Sequence, residues 1–202
     1  MAHASLSSIR QRQICLALKR RNLQVGILTG QSDPARCGLS PAQQAFLDAM
    51  VPRALQIPQN FPYDSRSAVY RHSSLLKASL NNGWLYFRSR SRAFRRRHQP
   101  TLESLLSQSD ATIFIAGSCG LELFNNLALP PLLLSRVQIV AYGPVARRRP
   151  NCRHELIGAR GDAISRRFFP RPDHSVDCSH LGYLANDDVR MLCSAFVSRA
   201  MS

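Results

Sequence analysis

The most regular feature of the chain is a series of short, mostly apolar runs that end near glycine or a polar turn. Runs of this length, rich in branched side chains, are typical of buried strands. They predict six strands, at residues 23–29, 55–57, 111–116, 137–142, 155–158 and 174–178. The clearest of them is 111–116, with the sequence ATIFIA.

Helical spacing of apolar residues fills the intervals between these runs. Ser40 followed by Pro41 is a helix-start signature, because it places a capping hydroxyl before a proline in the first turn. The predicted helices lie within 31–52, over 67–97, 101–108 and 121–129, and from Asp187 or Asp188 to the end of the chain. Alternating strands and helices predict an α/β fold, a three-layer structure with a mostly parallel sheet of about six strands and helices on both faces.

The length of 202 residues suits a single domain. We expect that domain to span 23–202, with 64–110 as a helical insertion or covering region. Residues 1–22 carry five Lys or Arg and no acid, which predicts a basic helix or arm, although an organelle transit peptide has the same composition. The longest apolar stretches are too short for a membrane span, and the first twenty residues form no apolar block. The sequence therefore predicts a soluble, cytoplasmic protein.

The net charge is +15, from 27 Lys and Arg against 12 Asp and Glu, and all but two of the basic residues are Arg. A positive net charge of this size attracts acidic proteins, nucleic acid or anionic lipid. A GC-rich coding sequence, which favours arginine codons, and solvated arginine-rich faces produce the same charge without such a partner. The two arginine tracts, 88–97 and 147–153, are interpreted as solvated faces that could also dock an acidic partner. Aromatic residues are hardly interleaved with them, so nucleic acid is the less favoured partner.

The six cysteines are scattered, with no pair or Cys/His cluster at zinc spacing. In a chain of this length the pattern favours reduced thiols. We expect Cys15 and Cys193 to be core residues, and we expect neither a metal ion nor a cofactor.

One segment combines a strand, a tight turn and a helix around a serine. Ser118 follows the strand at 111–116 and has small residues, Ala116 and Gly120, two positions to either side. A strained nucleophile turn needs small residues there, and the helix start behind it offers N–H groups to an oxyanion. Glycine-rich turns of this kind also bind phosphates or serve only as tight connections.

An acid and an imidazole follow Ser118 in the order that nucleophilic catalysis can use. Asp162 comes just after the fifth predicted strand and His180 just after the sixth, so a parallel sheet would bring them to the edge where Ser118 lies. Asp173 or Asp177 could replace Asp162 as the acid. Cys119 is an alternative nucleophile, but Leu121 would then stand where a small residue is needed.

In these segments the chain resembles the α/β-hydrolase superfamily. The residues responsible are 116–120, 157–162 and 176–184, and the resemblance covers 112–200 well and 23–63 loosely. The resemblance implies Ser118 as nucleophile, His180 as general base and Asp162 as the acid that orients it. It also implies an oxyanion hole built from the Cys119 N–H and the loop at Gly30 and Gln31.

The resulting prediction is a serine hydrolase that cleaves a carboxylic ester or thioester through an acyl-enzyme. Its partners would be a small-molecule acyl ester or thioester and, in one variant of the hypothesis, an acidic carrier protein. The alternative is a non-catalytic hydrolase fold, or a basic module that binds an acidic protein or nucleic acid. Residues 60–63 (NFPY) are predicted to form a solvent-facing turn, with the mouth of a pocket as the alternative.

Overall fold

A parallel sheet lies at the centre of the molecule. The computed structural model describes residues 21–64, 69–72 and 74–201, so the predicted basic arm lies outside the described residues except for its last two positions. Within these ranges five strands pair in parallel, in the order β1-β2-β3-β4-β5. They are β1 Arg21–Leu28, β2 Ser109–Gly117, β3 Val137–Tyr142, β4 Arg153–Ala159 and β5 His174–Val176.

The strand predicted at 55–57, the second of the six, is wrong. Arg53–Leu55 forms a 3-10 turn, and a single parallel bridge joins Gln56 to Val25. The Ile57 N–H donates to the Val25 carbonyl at 2.8 Å, but the next carbonyl on that side of β1, that of Ile27, accepts from the Tyr63 hydroxyl, so the ladder does not continue. The bridge nevertheless places this segment on the free side of β1, opposite β2.

Helices surround the sheet. The described helices are α1 Pro41–Asp48, α2 Leu75–Arg88, α3 Arg92–Leu106, α4 Gly120–Leu127, α5 Pro131–Leu134, α6 Ala163–Phe168 and α7 Asp187–Met201. The predicted start of α1 is confirmed, because Ser40 caps it in a reciprocal pair with Gln43. Within the described ranges, no helix has the length and apolar character required to cross a bilayer.

The helices predicted at 67–97 and 101–108 are divided differently in the structure. The helical pattern breaks at Ser91, whose hydroxyl accepts from the Phe94 N–H and starts α3. That helix then continues through Pro100 to Leu106, although an interior proline costs about 3 kcal/mol. Phe94 and Leu102 lie on either side of the proline and are both buried, which offsets the cost. The predicted start at Ser67 lies outside the described residues.

The two faces of the sheet carry separate apolar clusters. Ile113 and Ile115 of β2 pack on one side, with α1 and α7, and Cys193 lies in this cluster as predicted. Phe114 and Ala116 face the other side, where α3 and α4 cover them. This alternation along one strand confirms the predicted fold class, a three-layer α/β structure with helices on both faces.

The parallel arrangement collects the loops that follow the strands at one edge of the sheet. The residues just past Leu28, Gly117, Ala159 and Val176 therefore lie together. From β1 the chain passes first to the Gln56 bridge on one side and then to β2 on the other. Such a switch point between neighbouring strands opens a crevice where α/β sheets bind ligands.

The start of α4 is pressed against β1 at Gly120. A Cβ atom at this position would overlap the backbone carbonyl of Leu28, which cannot move as a flexible side chain would. We expect Gly120→Ala to lower the free energy of unfolding by about 1–3 kcal/mol in a urea titration.

Gly83 in α2 is the matched control. A Cβ there would meet nothing within 4 Å, and alanine favours a helix interior. Gly83→Ala should therefore raise the free energy of unfolding by about 0.5–1 kcal/mol. If Gly120→Ala unfolded at the wild-type urea concentration, the close approach of α4 to β1 would be contradicted.

Candidate active site

Ser118 occupies the turn between β2 and α4 in a backbone conformation that is rare for a residue with a side chain. Its φ angle is 50°, in the left-handed region. The Ser118 N–H donates to the Tyr142 carbonyl at 3.3 Å, and its own carbonyl accepts from the Val145 N–H at 2.9 Å. The end of β3 thus holds the strained residue from both sides, and its side chain stays partly exposed.

The turn is possible because its neighbours are small. A Cβ at Gly117 would come within 2.5 Å of the Tyr142 hydroxyl, and a Cβ at Gly120 would overlap the Leu28 carbonyl. The strand, the turn and the helix can therefore approach β1 and β3 closely at these two points. Small residues around Ser118 are a steric requirement of this packing.

Three predicted side chains meet in a hydrogen-bonded chain. The Ser118 Oγ lies 3.2 Å from the His180 Nε2, and the His180 Nδ1 lies 2.8 Å from the Asp162 Oδ2. An ionised carboxylate can only accept, so the Nδ1 carries the proton that it donates to Asp162. The Nε2 of the neutral ring then accepts from the Ser118 hydroxyl. The imidazole is held in the tautomer that can remove a proton from the serine.

Asp162 is a buried carboxylate with four donors. Its Oδ1 caps α6 by accepting from the N–H groups of Ile164 and Ser165, and its Oδ2 accepts from His180 and from the Tyr183 hydroxyl. Burial by itself raises the pKa of Asp162, but these hydrogen bonds outweigh it and hold the pKa below its usual value. The carboxylate is therefore ionised at neutral pH.

Tyr183 is the member of the site that the sequence analysis missed. Its hydroxyl donates to Asp162 at 2.9 Å, and burial together with this hydrogen bond raises the pKa of Tyr183 above its usual value. The ring lies against Gly143, where a Cβ would come within 2.5 Å of it. The available signal was a tyrosine three residues after His180, since a buried phenol needs a polar partner.

The residues considered as alternatives to Asp162 and Ser118 do not fit those roles. Asp173 binds Arg149 and the Leu156 N–H, and Asp177 pairs with Arg160, so Asp162 is the carboxylate beside His180. Cys119 is buried, and burial raises the pKa of its thiol to about 12. A thiol of this kind is protonated at neutral pH and is a poor nucleophile.

The loop after β1 lies directly against the turn at Ser118. A Cβ at Gly30 would come 2.7 Å from the Cys119 sulfur, so the two loops touch. Among the described residues, no backbone carbonyl accepts from the N–H of Cys119 or of Gln31. The structure thus places Gly30 against Cys119, and in the part of the chain that it describes the N–H groups of Cys119 and Gln31 have no backbone carbonyl as partner.

Asn60 fixes this loop, and the solvent-facing turn predicted at 60–63 is wrong. The Asn60 Oδ1 accepts from the Thr29 N–H at 2.8 Å, and its Nδ2 donates to the Thr29 Oγ1 and the Gly30 carbonyl. Asn60, Phe61 and Tyr63 are buried. The sequence predicted a turn here. It gave no sign that the Asn60 side chain would bond to the backbone of a distant loop, because such a contact leaves no local sequence pattern.

A cavity of about 390 Å³ adjoins the site. The loop after β1, Ala78 of α2, and Leu181 next to His180 all line it. Asn82 of the same helix lies over Gly30, where a Cβ would collide with its Oδ1. The helix α2 therefore borders the site.

Comparison with known proteins gives likenesses among solved structures and none among sequences. No protein-family model and no curated protein sequence matches the chain. Among solved structures, the chain is similar to one described as the crystal structure of esterase PE8, with a TM-score of 0.47 and 16% sequence identity. The match covers 89% of this chain and 93% of the esterase chain.

The lowered pKa of Asp162 has a consequence for stability. A carboxylate with a lower pKa in the folded state stabilises the fold above about pH 4, and this contribution is lost as the pH falls toward the folded-state pKa. We expect Asp162→Asn to lower the free energy of unfolding at pH 7 by about 1–3 kcal/mol and to flatten its decline below pH 4. Urea titrations from pH 3 to 7 measure both effects.

Asp188→Asn, on the exposed first turn of α7, serves as the control. Its free energy of unfolding should vary with pH as that of the wild type does. If the free energies of unfolding of Asp162→Asn and the wild type fell in parallel with pH, folding would leave the pKa of Asp162 unchanged.

Proposed function

We propose that the chain is a serine hydrolase that cleaves a carboxylic ester or thioester through an acyl-enzyme. The observation that carries the proposal is the hydrogen-bonded chain from Ser118 through His180 to the buried Asp162. It lies at the switch point of a parallel sheet, beside a cavity. A strained serine, an oriented imidazole and an ionised carboxylate are the groups that acyl transfer requires.

The first half-reaction acylates the serine. The Ser118 Oγ attacks the carbonyl carbon of the substrate while the His180 Nε2 takes its proton, which produces a tetrahedral oxyanion and an imidazolium. Asp162, fixed by four donors, stabilises the charge on the ring through Nδ1. When the tetrahedral species collapses, its bond to the leaving alcohol or thiol breaks, and the Nε2 returns the proton to that group.

The second half-reaction releases the acid. A water molecule takes the place of the leaving group, and His180 removes its proton as the oxygen attacks the acyl carbon. The bond to the Ser118 Oγ then breaks and the serine recovers a proton from His180. The chain ends this cycle unchanged, with one ester or thioester converted to a carboxylic acid and an alcohol or thiol.

The oxyanion would be held by backbone N–H groups. Cys119 offers one at the start of α4, where the helix dipole also favours negative charge. Gly30 and Gln31 supply the facing side, in the loop that Asn60 fixes. The neighbouring cavity, with Arg36 and Arg71 among its lining residues, offers room for a small-molecule acyl ester or thioester.

Covalent labelling tests the nucleophile directly. We expect a fluorophosphonate probe to label the wild-type protein, because the probe reacts with an activated serine. Ser118→Ala should abolish labelling, and His180→Ala should reduce it by at least about a hundredfold, since the serine loses its base. Labelled protein is quantified by in-gel fluorescence, and mass spectrometry of the peptide locates the adduct.

Ser135→Ala is the matched serine control, because Ser135 ends α5 at the opposite edge of the sheet. It should label as the wild type does. Cys119→Ala separates the two nucleophiles: labelling that persisted in Ser118→Ala and vanished in Cys119→Ala would identify the thiol instead. A folded wild-type protein that does not label would refute the serine hydrolase and leave a non-catalytic hydrolase fold.

Asn60 tests the loop that faces the turn. Asn60→Ala removes all three side-chain hydrogen bonds to Thr29 and Gly30, so the loop loses its fixed position. We expect kcat for p-nitrophenyl acetate to fall roughly tenfold with KM nearly unchanged, because an oxyanion site acts in the transition state. Asn151→Ala, at an exposed position, is the control. An unchanged kcat in a folded Asn60→Ala protein would exclude this loop from catalysis.

A further inference from the structure

The outer face of α2 is apolar and exposed. Leu76, Leu80, Trp84 and Phe87 are 74%, 67%, 65% and 64% exposed. Their spacing of three and four residues places all four on one side of the helix. Single exposed apolar side chains are ordinary, but a continuous stripe of four large ones marks an interaction surface.

The inner face of the same helix is occupied. Asn81 donates to the Ser32 carbonyl at 2.8 Å, and Asn82 lies over Gly30. Leu85 packs against the apolar cluster that α3 and α4 form. Polar and apolar contacts thus seat the helix on the body of the protein, and no residue that the structure describes buries the apolar stripe.

An exposed arginine borders the stripe, and others follow it in the chain. The guanidinium of Arg88 lies 5.9 Å from the centre of the Trp84 ring, so charge and apolar surface are in contact. Further exposed arginines follow on the first turns of α3: Arg92, Arg95, Arg96 and Arg97. The sequence has no Asp or Glu between Asp64 and Glu103, so no acid of this segment offsets them. Together with the four apolar residues, these five arginines are called the α2–α3 face.

A cavity of about 330 Å³ opens between α2 and α3. Trp84, Leu85 and Phe94 contribute apolar walls, and Arg88 and Arg97 also line it. A ligand that fills such a cavity needs an apolar part and an anionic part. Amphiphiles with acyl chains and acidic headgroups have both.

We propose that the α2–α3 face docks the protein onto an anionic lipid surface. The leucines and aromatic rings enter the boundary between headgroups and acyl chains, and the arginines contact acidic headgroups, as in helices that lie in the plane of a membrane. The cavity between the helices receives part of one lipid. Since Gln31 in the loop after β1 also lines this cavity, docking brings the lipid surface close to the candidate active site.

Other occupants match the face less well. A second copy in a symmetric dimer would cover the apolar stripe, but the segment between Asp64 and Glu103 offers no acid to pair with the arginines. Nucleic acid would use the arginines and could stack on Trp84 and Phe87, but it gives Leu76 and Leu80 no apolar environment. An acidic protein segment would need its own apolar stripe. A lipid surface supplies both kinds of contact at once.

Vesicle binding tests the proposal. The purified full chain is mixed with vesicles of phosphatidylcholine alone or with phosphatidylglycerol, and bound protein is measured by flotation. We expect binding to the anionic vesicles and at least about tenfold less to the neutral ones. Leu76→Glu/Leu80→Glu should weaken binding at least about tenfold, and Arg92→Gln/Arg95→Gln/Arg96→Gln by roughly a hundredfold.

The controls lie at the opposite edge of the sheet, near the starts of β3, β4 and β5. Leu132→Glu changes a leucine that is 73% exposed in α5, and Arg136→Gln/Arg153→Gln/Arg171→Gln removes the same charge as the other triple variant. Both should bind as the wild type does. Ser118→Ala should also bind normally, so docking is measured independently of any hydrolysis.

Four outcomes would overturn the proposal. The first is failure of the wild type to bind anionic vesicles. The second is equal weakening by the two arginine triples, which would show that net charge alone drives binding. The third is binding of a single-stranded oligonucleotide, or of an acidic peptide, that depends on Arg92, Arg95 and Arg96 while vesicle binding is absent. The fourth is a dimer, seen by light scattering, that Leu76→Glu/Leu80→Glu dissociates without any effect on vesicles.

Discussion

The buried carboxylate of Asp162 connects more of the structure than any other polar group near the site. Removing a carboxylate from water is costly unless hydrogen-bond donors replace the solvent. The donors come from the first turn of α6, from the loop after β5 and from the 3-10 turn that contains Tyr183. These segments are therefore fixed relative to β4 by a single ionised group. The orientation of His180, and with it the hydrogen bond to Ser118, is a consequence of satisfying Asp162.

A second constraint is steric and concerns the backbone. The left-handed conformation of Ser118 places its hydroxyl at the carboxyl edge of the sheet, and the flanking glycines let β2 and α4 approach β3 and β1 without a clash. A strained backbone of this kind persists only where several surrounding contacts hold it in place. Here the hydrogen bonds with Tyr142 and Val145 do so. The electrostatic and steric constraints meet at one point, because the strained serine faces the ring that Asp162 orients.

Local patterns were sufficient for the sheet and for the three central side chains. Apolar runs predicted β1 to β5 to within a few residues, and residues that follow parallel strands must meet at one edge, so Ser118, Asp162 and His180 could be placed together from the sequence. What failed depends on tertiary contacts. Tyr63 takes the Ile27 carbonyl that a sixth strand would need, α3 passes through Pro100 because residues on both sides are buried, and Asn60 bonds to a loop about thirty residues away. Tyr183 was missed for the same reason, since its partner is defined only once the chain has folded.

The helix α2 departs from the usual relation between burial and polarity, because polar and apolar side chains share its inner side. In most surface helices the apolar side covers the core and the polar side meets water, because burial of apolar area is what stabilises the helix. Here two asparagines lie on the inner side, and within the described residues the buried Asn82 Oδ1 has no hydrogen-bond partner, while four large apolar side chains face outward. Folding of the chain by itself gains little from that arrangement. No residue within the described ranges covers this apolar side, and an acidic lipid surface would satisfy its hydrophobicity and the charge of the neighbouring arginines together.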